Sequence, residues 1–143
     1  MISARPLAET LATVPFFSGL DSDSLDRVTR GMRTRRFRRG EVIFHLGDPG
    51  DALFIVVSGA IKIMLPSDTG DEAILATLRA GDVFGELALL DGAPRSATVT
   101  SVDDLEVAVL GVRMFRTLLR EFPDLAAQLL AGMAGAIREA RGN

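Results

Sequence analysis

The sequence predicts a mainly β protein with flanking helices, built around an eight-stranded antiparallel β-roll of the jelly-roll type. Three observations lead to this prediction. Glycines recur at intervals of about ten residues between Gly40 and Gly92, short β-rich runs lie between them, and helical spacing of apolar residues is found at both ends of the chain. Short strands at such spacing, separated by glycine turns, are typical of an all-β barrel or sandwich.

The N-terminal region is expected to form two helices. Leu7, Leu11 and Val14 are spaced to lie on one helix face. Asp21 or Ser22 can cap a second helix that runs to about residue 31. An arginine run then begins a strand: its members are Arg33, Arg35, Arg36, Arg38 and Arg39. Such a run could form a nucleic-acid patch, but its alternation and nearby acidic residues favour a solvated strand.

The central region, residues 33–111, carries the predicted strands. After the arginine run they are expected at 42–44, 53–57, 60–65, 73–78, 82–85, 96–102 and 105–110. Ser58-Gly59 is interpreted as a two-residue hairpin turn, because glycine accepts a positive φ at little cost. Residues 47–51, with sequence GDPGD, are expected to form another turn.

The C-terminal region is expected to form two helices, within residues 112–122 and 124–143. Apolar residues of the second helix are spaced by four, three, four and three, which gives a short heptad seam. These residues are Ala126, Leu130, Met133, Ile137 and Ala140. The seam could pack on the roll or join two copies in a homodimer through residues 124–141. With a chain of 143 residues, all of these elements are expected to form one domain, residues 1–143.

Composition excludes several classes of site. The chain has no cysteine, a single histidine (His45) and a net charge of −3. Disulfides, thiolate zinc sites and the metal cluster of a cupin-type enzyme therefore have too few ligands, and we expect no enzymatic activity and no cofactor. No segment approaches the ~20 apolar residues of a membrane span, and the N-terminus lacks the apolar stretch of a signal peptide, so a cytoplasmic protein without membrane contact is expected.

One segment, residues 81–99, departs from the strand rhythm and suggests chemistry. Glu86 to Leu90 is predicted to form one or two helical turns, and Pro94 to start the next strand with Arg95 at its first position. A helix start attracts phosphate, Gly85 allows a ligand to approach the backbone, and Arg95 offers a charged fork suited to phosphate oxygens. The Glu86 carboxylate would repel a phosphate but can accept a hydrogen bond from a sugar hydroxyl. The combination predicts a small ligand with one phosphate and one ribose hydroxyl.

The motifs FGELALL and PRSATV resemble the phosphate-binding cassette of cyclic nucleotide-binding domains, the family of catabolite activator-type regulators, kinase regulatory subunits and cyclic nucleotide-gated channels. The earlier segment GDPGDALFIVVSGAIKI is also similar to that family, and the resemblance extends from about Phe16 to Asn143. It implies that the chain is a regulatory sensor domain for a cyclic nucleotide, cAMP or cGMP.

The resemblance also implies roles for individual residues. Glu86 would accept a hydrogen bond from the ribose 2′-hydroxyl, and Arg95 would neutralise the charge of the cyclic phosphate. Ser96 would donate a hydrogen bond to a phosphate oxygen, and Ala97 follows it in the cassette. Backbone N–H groups of Gly85, Glu86 and Leu87 would line the same pocket. The base would be walled by Ile63, Leu75 and Leu78, and Arg138 or Arg141 could stack over it as a cation over a π face.

cAMP is the favoured ligand, because serine at position 96 resembles the bacterial cAMP-binding pattern. Ligand would close the cassette and move the C-terminal helix as a lid, with output to a protein effector or a second copy. Two alternatives stay open. The fold could have lost its ligand and serve as a protein-interaction domain, or the chain could be the sensor part of a longer transcription regulator, since no helix-turn-helix DNA-binding domain fits within its 143 residues.

Overall fold

The computed structural model describes residues 4–14, 17–85, 93–125, 127–128 and 131. Three helices lie fully within these residues: α1 (Ala4–Ala12), α2 (Ser22–Arg30) and α3 (Val112–Glu121). Its strands are β1 (Arg33–Phe37), β2 (Val42–Phe44), β3 (Ala52–Ser58), β4 (Ala60–Pro66), β5 (Glu72–Arg79), β6 (Val83–Phe84), β7 (Thr98–Ser101) and β8 (Leu105–Gly111). The predicted helix over Glu86–Leu90, and most of the predicted helix over 124–143, lie outside the described residues.

The strands form two four-stranded sheets, in the orders β1-β8-β3-β6 and β2-β7-β4-β5. The predicted fold class, mainly antiparallel β with flanking helices, is thereby confirmed. Inward-facing side chains of both sheets meet in one apolar core, because alternate residues of a strand point to the same face. The core consists of Phe37, Ala52, Phe54, Val56, Ile61, Phe84, Val99, Leu105, Val107 and Val109.

The chain divides into two compact units, and the roll is one of them, Thr34–Val109. The other unit contains the described residues up to Arg33 and from Leu110 onward. Within it, α1 packs on α2 and α2 on α3, with Leu11, Val28 and Phe115 among the buried side chains. None of the helices described in the structure is both long enough and apolar enough to cross a membrane.

The capping residue of α2 is Asp21. Its side chain accepts a hydrogen bond of 2.8 Å from the backbone N–H of Ser24, as an N-cap should. This hydrogen bond is the main cause of a lowered pKa of the Asp21 carboxyl, because a donated N–H favours the charged form. Asp21 and Gln128 also exchange two hydrogen bonds, of 3.1 and 3.3 Å, within the same unit.

Two local predictions are wrong. Ser58-Gly59 is not a hairpin turn, since β3 and β4 belong to different sheets. Gly59 has the expected positive φ of 90°, but it turns the chain from one sheet to the other. The strand expected at residue 96 begins only at Thr98, so Arg95 lies in the preceding loop. The reason is the hydrogen bonding of Arg95, which is directed to a turn rather than to a neighbouring strand.

Candidate ligand-binding site

The backbone of Arg95 is tied to the turn that follows β2. Its N–H donates to the carbonyl of Asp48 at 2.8 Å, and its carbonyl accepts from the N–H of Gly47, also at 2.8 Å. Gly47 makes this turn possible with a φ of +90°, which side-chain-bearing residues rarely adopt. The GDPGD turn therefore fixes the backbone position from which the Arg95 side chain starts.

The Arg95 side chain is buried, with 5% of its surface exposed. Its Nη2 donates to the carbonyl of Ala52 at 2.8 Å, and its Nη1 donates to the carbonyl of Gly85 at 3.2 Å. A carboxylate oxygen of Asp51 lies 3.7 Å from Nη2, on a side chain that is 82% exposed. A buried cation is costly unless polar groups satisfy it, and two backbone carbonyls at the ends of β3 and β6 do so here.

An aromatic cluster also contacts the guanidinium. The Cζ atom of Arg95 lies 4.2 Å from the ring centroid of Phe44 and 5.6 Å from that of Phe54. Phe54 in turn stacks on Phe84, with centroids 5.0 Å apart and ring planes 7° from parallel. Cation–π attraction to these rings helps to hold a charge that has been removed from water.

Gly85 is required where it stands. It has a φ of +76°, and a Cβ atom there would lie 2.8 Å from Arg95 Nη1 and 3.1 Å from the Ala52 carbonyl oxygen. A side chain would therefore push the guanidinium from its place. The predicted pairing of Gly85 with Arg95 in one site has a physical basis: the two residues are in direct contact.

The structure places the remaining predicted site residues in three groups. Ile63 and Leu78 are half-buried and pack against the core of the roll. Leu75 is 60% exposed and falls at a register shift, where it has no partner on β4. Ser96 is exposed and Ala97 half-buried, both between Arg95 and β7. The others, Glu86, Leu87, Arg138 and Arg141, lie outside the described residues.

Sequence reasoning missed the residues that hold Arg95. Phe44 was assigned only to a strand, Asp51 only to a turn and Ala52 to neither, although all three contact the guanidinium. A usable signal was present: the GDPGD turn, flanked by VIF and ALF, brings the ends of β2 and β3 together. Polar and aromatic groups at adjacent strand ends were therefore candidates for a shared site.

The arrangement of the described residues is suited to anion binding. Among the described residues, no group of three or more histidine, cysteine or acidic side chains could hold a metal ion. What the site offers is an oriented planar cation beside a glycine backbone, and a bidentate fork of this kind recognises phosphate or carboxylate oxygens.

Comparison with known proteins gives consistent matches. A family model described as a cyclic nucleotide-binding domain matches residues 34–122, more than half of the chain. The cyclic AMP receptor protein of Thermus thermophilus is 36% identical over 126 residues, which cover 88% of this chain and 58% of that protein. The chain spans about 60% of the length of the bacterial receptor and regulator proteins that it matches among curated relatives.

Two solved structures are similar as well. The N-terminal domain of a transcriptional regulator from Streptomyces coelicolor has a TM-score of 0.84 at 32% identity, and the match covers 93% of each chain. The regulatory domain of Toxoplasma gondii PKA, crystallised with cAMP, has a TM-score of 0.75 at 35% identity and matches 80% of this chain and 44% of that one.

Proposed function

Because the chain belongs to the cyclic nucleotide-binding domain family, we propose that it is a sensor domain for cAMP in which Arg95 binds the cyclic phosphate. The observation that supports this most is the buried guanidinium of Arg95, held by the carbonyls of Ala52 and Gly85. An oriented cation of this kind loses little conformational freedom when it binds an anion. Hydrogen bonds to charged groups contribute about 1.5–3 kcal/mol.

The remaining contacts of the proposed site follow the cassette. In this proposal Glu86 accepts a hydrogen bond from the ribose 2′-hydroxyl, and the backbone N–H groups of Gly85 to Leu87 face the phosphate. Ser96, which precedes Ala97, donates a hydrogen bond to a phosphate oxygen. In this proposal the base is walled by residues of β4 and β5 and covered by an arginine of the C-terminal helix. These residues are Ile63, Leu75, Leu78, Arg138 and Arg141. The exposure of Leu75 supports this role, since an apolar side chain on the surface gains from being covered.

cAMP rather than cGMP is the proposed ligand. Two relatives bear on this choice: one is named a cyclic AMP receptor protein, and the PKA regulatory domain was solved with cAMP. Ser96 in the cassette agrees with a cAMP site, as the family resemblance implies. The protein would act by binding alone, as a regulator and not as an enzyme, with residues 1–143 working as one domain.

The proposed response is a movement of the C-terminal helix over the bound ligand. Asp21 and Gln128 join the start of this helix to α2 through two hydrogen bonds between exposed or half-buried groups. Such bonds contribute little net free energy and can be exchanged for bonds to water. Output would pass through residues 124–141 to a second copy of the chain or to a protein effector.

A thermal-shift screen with cAMP, cGMP and 5′-AMP tests the proposed ligand. A ligand at 100 times its dissociation constant stabilises the folded state by about 2.7 kcal/mol, so cAMP should raise the Tm most and the linear 5′-AMP least. A flat response to all three nucleotides would contradict the proposal and favour the alternative of a protein-interaction domain. A larger shift with cGMP would overturn the choice of base but not the choice of site.

Hydrogen exchange on the same samples separates binding from the response. With cAMP bound, exchange should slow both in the peptide that contains Arg95 and in peptides of residues 124–143. Slower exchange around Arg95 with no change in 124–143 would leave the ligand assignment intact and contradict the lid.

A further inference from the structure

We infer that Phe44 is a positioning residue for the ligand site: its ring lies against the Arg95 guanidinium and limits the movement of that group, which keeps its N–H donors in place to meet an anion. The expected effect of Phe44 on ligand binding rests on the proposed function. That Phe44 orients Arg95 follows from contacts within the chain and does not depend on a ligand.

Two backbone carbonyls fix only part of the orientation of Arg95. Ala52 and Gly85 accept from Nη2 and Nη1 respectively, and N–H donors of a guanidinium point along its plane. These bonds therefore oppose rotation within the plane. They still allow some change of angle, so a ring packed against the guanidinium would restrict its movement further.

Phe44 is packed against the guanidinium, whose Cζ lies over the phenyl ring. Its ring centroid is 4.2 Å from Cζ, closer than that of Phe54 at 5.6 Å. Phe44 cannot easily move away, because it contacts Phe54 and Phe84 at centroid distances of 5.7 and 6.0 Å. The ring is therefore supported from behind by the core and presents a π face to the cation.

A β-bulge explains why Phe44 points this way. Val42 pairs with Thr100 and Phe44 with Val99, so one extra residue, Ile43, lies on β2 between the two pairs. Bulges of this kind redirect the side chain that follows them. Ile43 and Phe44 both pack against the core as a result, although neighbours on a regular strand point to opposite faces.

The same strand pairing ties Phe44 to Arg95 in space. Val99, the partner of Phe44, lies four residues after Arg95 in the chain. Arg95 itself is bonded to Asp48 and Gly47, which follow Phe44 by a few residues. The Phe44 ring and the Arg95 guanidinium are therefore both anchored near the turn that follows β2, which restrains the contact between them.

Three variants separate positioning from packing. Phe44→Leu keeps an apolar side chain but removes the π face, and Phe44→Met serves if the leucine variant does not fold. Phe44→Tyr keeps the face. Phe37→Leu is the matched control, since Phe37 is a buried ring of the same apolar core, at 8% exposure, while the described ring contacts of Phe44 are with Phe54 and Phe84.

The first measurement needs no nucleotide. In NMR spectra of the protein alone, the Nη protons of Arg95 should give resolved signals in the wild type, Phe44→Tyr and Phe37→Leu, because the guanidinium is fixed. They should average in Phe44→Leu or Phe44→Met. Resolved signals in those last two variants would overturn the positioning role, whether or not the protein binds a cyclic nucleotide.

The second measurement uses the two phosphorothioate diastereomers of cAMP, in which sulfur replaces one or the other exocyclic oxygen. A fixed fork should distinguish them, and loss of the π face should weaken cAMP binding about tenfold and reduce the ratio of the two dissociation constants. Phe44→Tyr should preserve the ratio, and Phe37→Leu should lower the Tm without changing the ratio. Equal ratios in all variants would contradict the inference. Failure of the wild type to bind any cyclic nucleotide would instead refute the proposed function.

Discussion

Replacing Arg95 with alanine is expected to weaken cAMP binding at least tenfold. The substitution removes the buried cation of the site, and a hydrogen bond to a charged group contributes about 1.5–3 kcal/mol. A loss of about 1.4 kcal/mol already lowers the affinity by a factor of ten. The net charge of the whole chain, −3, makes the loss more severe, since a negatively charged protein offers little general attraction to an anionic ligand. Isothermal titration with cAMP measures the change.

Two further variants make the Arg95 result specific. Arg95→Lys keeps a positive charge but loses the planar fork, so its affinity should lie between those of the wild type and the alanine variant. Arg120→Ala removes an exposed arginine from the last turn of α3 and matches the change in net charge. Its affinity should stay within about twofold of the wild type, because exposed charges act weakly at a distance in salt. An alanine variant at position 95 that binds cAMP as tightly as Arg120→Ala would remove Arg95 from the site.

Replacing Gly59 with alanine is expected to be the most damaging small substitution in the roll. A Cβ atom there would overlap the carbonyl oxygen of Asp104 and lie 2.9 Å from Oδ1 of Asp103 and 3.1 Å from the Cα of Leu105. The φ of +90° adds about 1–2 kcal/mol of backbone strain. Because backbone atoms must move, we expect a total loss of about 4 kcal/mol, at the upper end of single substitutions.

Gly70 provides the control for Gly59. It has a nearly identical φ of +89°, but a Cβ atom there would have nothing within 4 Å. Gly70→Ala should therefore show the conformational cost alone, a fall in Tm of a few degrees, whereas Gly59→Ala should lower the Tm by about 10 °C or more. Asparagine tolerates a positive φ, so Gly70→Asn should be nearly neutral and Gly59→Asn as harmful as alanine. Equal melting temperatures for the two alanine variants would show that the clash is absent.

The sequence was sufficient for the fold class and for the strand order along the chain. Glycine spacing and short β-rich runs locate seven of the eight strands, and the arginine run locates β1. Which strands pair with each other cannot be read from local sequence in the same way. The wrong assignment of Ser58-Gly59 illustrates this, because a glycine with positive φ serves a hairpin and a turn between sheets equally well. Contacts with residues far along the chain, such as that of Gly59 with Asp104, distinguish the two.

For the candidate site, the sequence singled out Arg95 as a charged fork suited to phosphate and Gly85 as a residue that lets a ligand approach the backbone. The structure brings these two residues into contact, and their role in binding stays a prediction. The contribution of Phe44 was not predictable from its residue type, since a phenylalanine at the end of a strand normally belongs to the core. Its role depends on the bulge at Ile43, which follows from pairing with β7 and leaves no local mark in the sequence.

The central claim, that the buried fork of Arg95 binds a cyclic phosphate, is tested most directly by a crystal structure of the protein grown with cAMP. We expect a phosphate oxygen about 2.7–2.9 Å from a guanidinium nitrogen of Arg95, at the edge of the group, with the Phe44 ring still packed against the guanidinium. Density for cAMP elsewhere on the chain, with the Arg95 guanidinium making no contact to the phosphate, would contradict it.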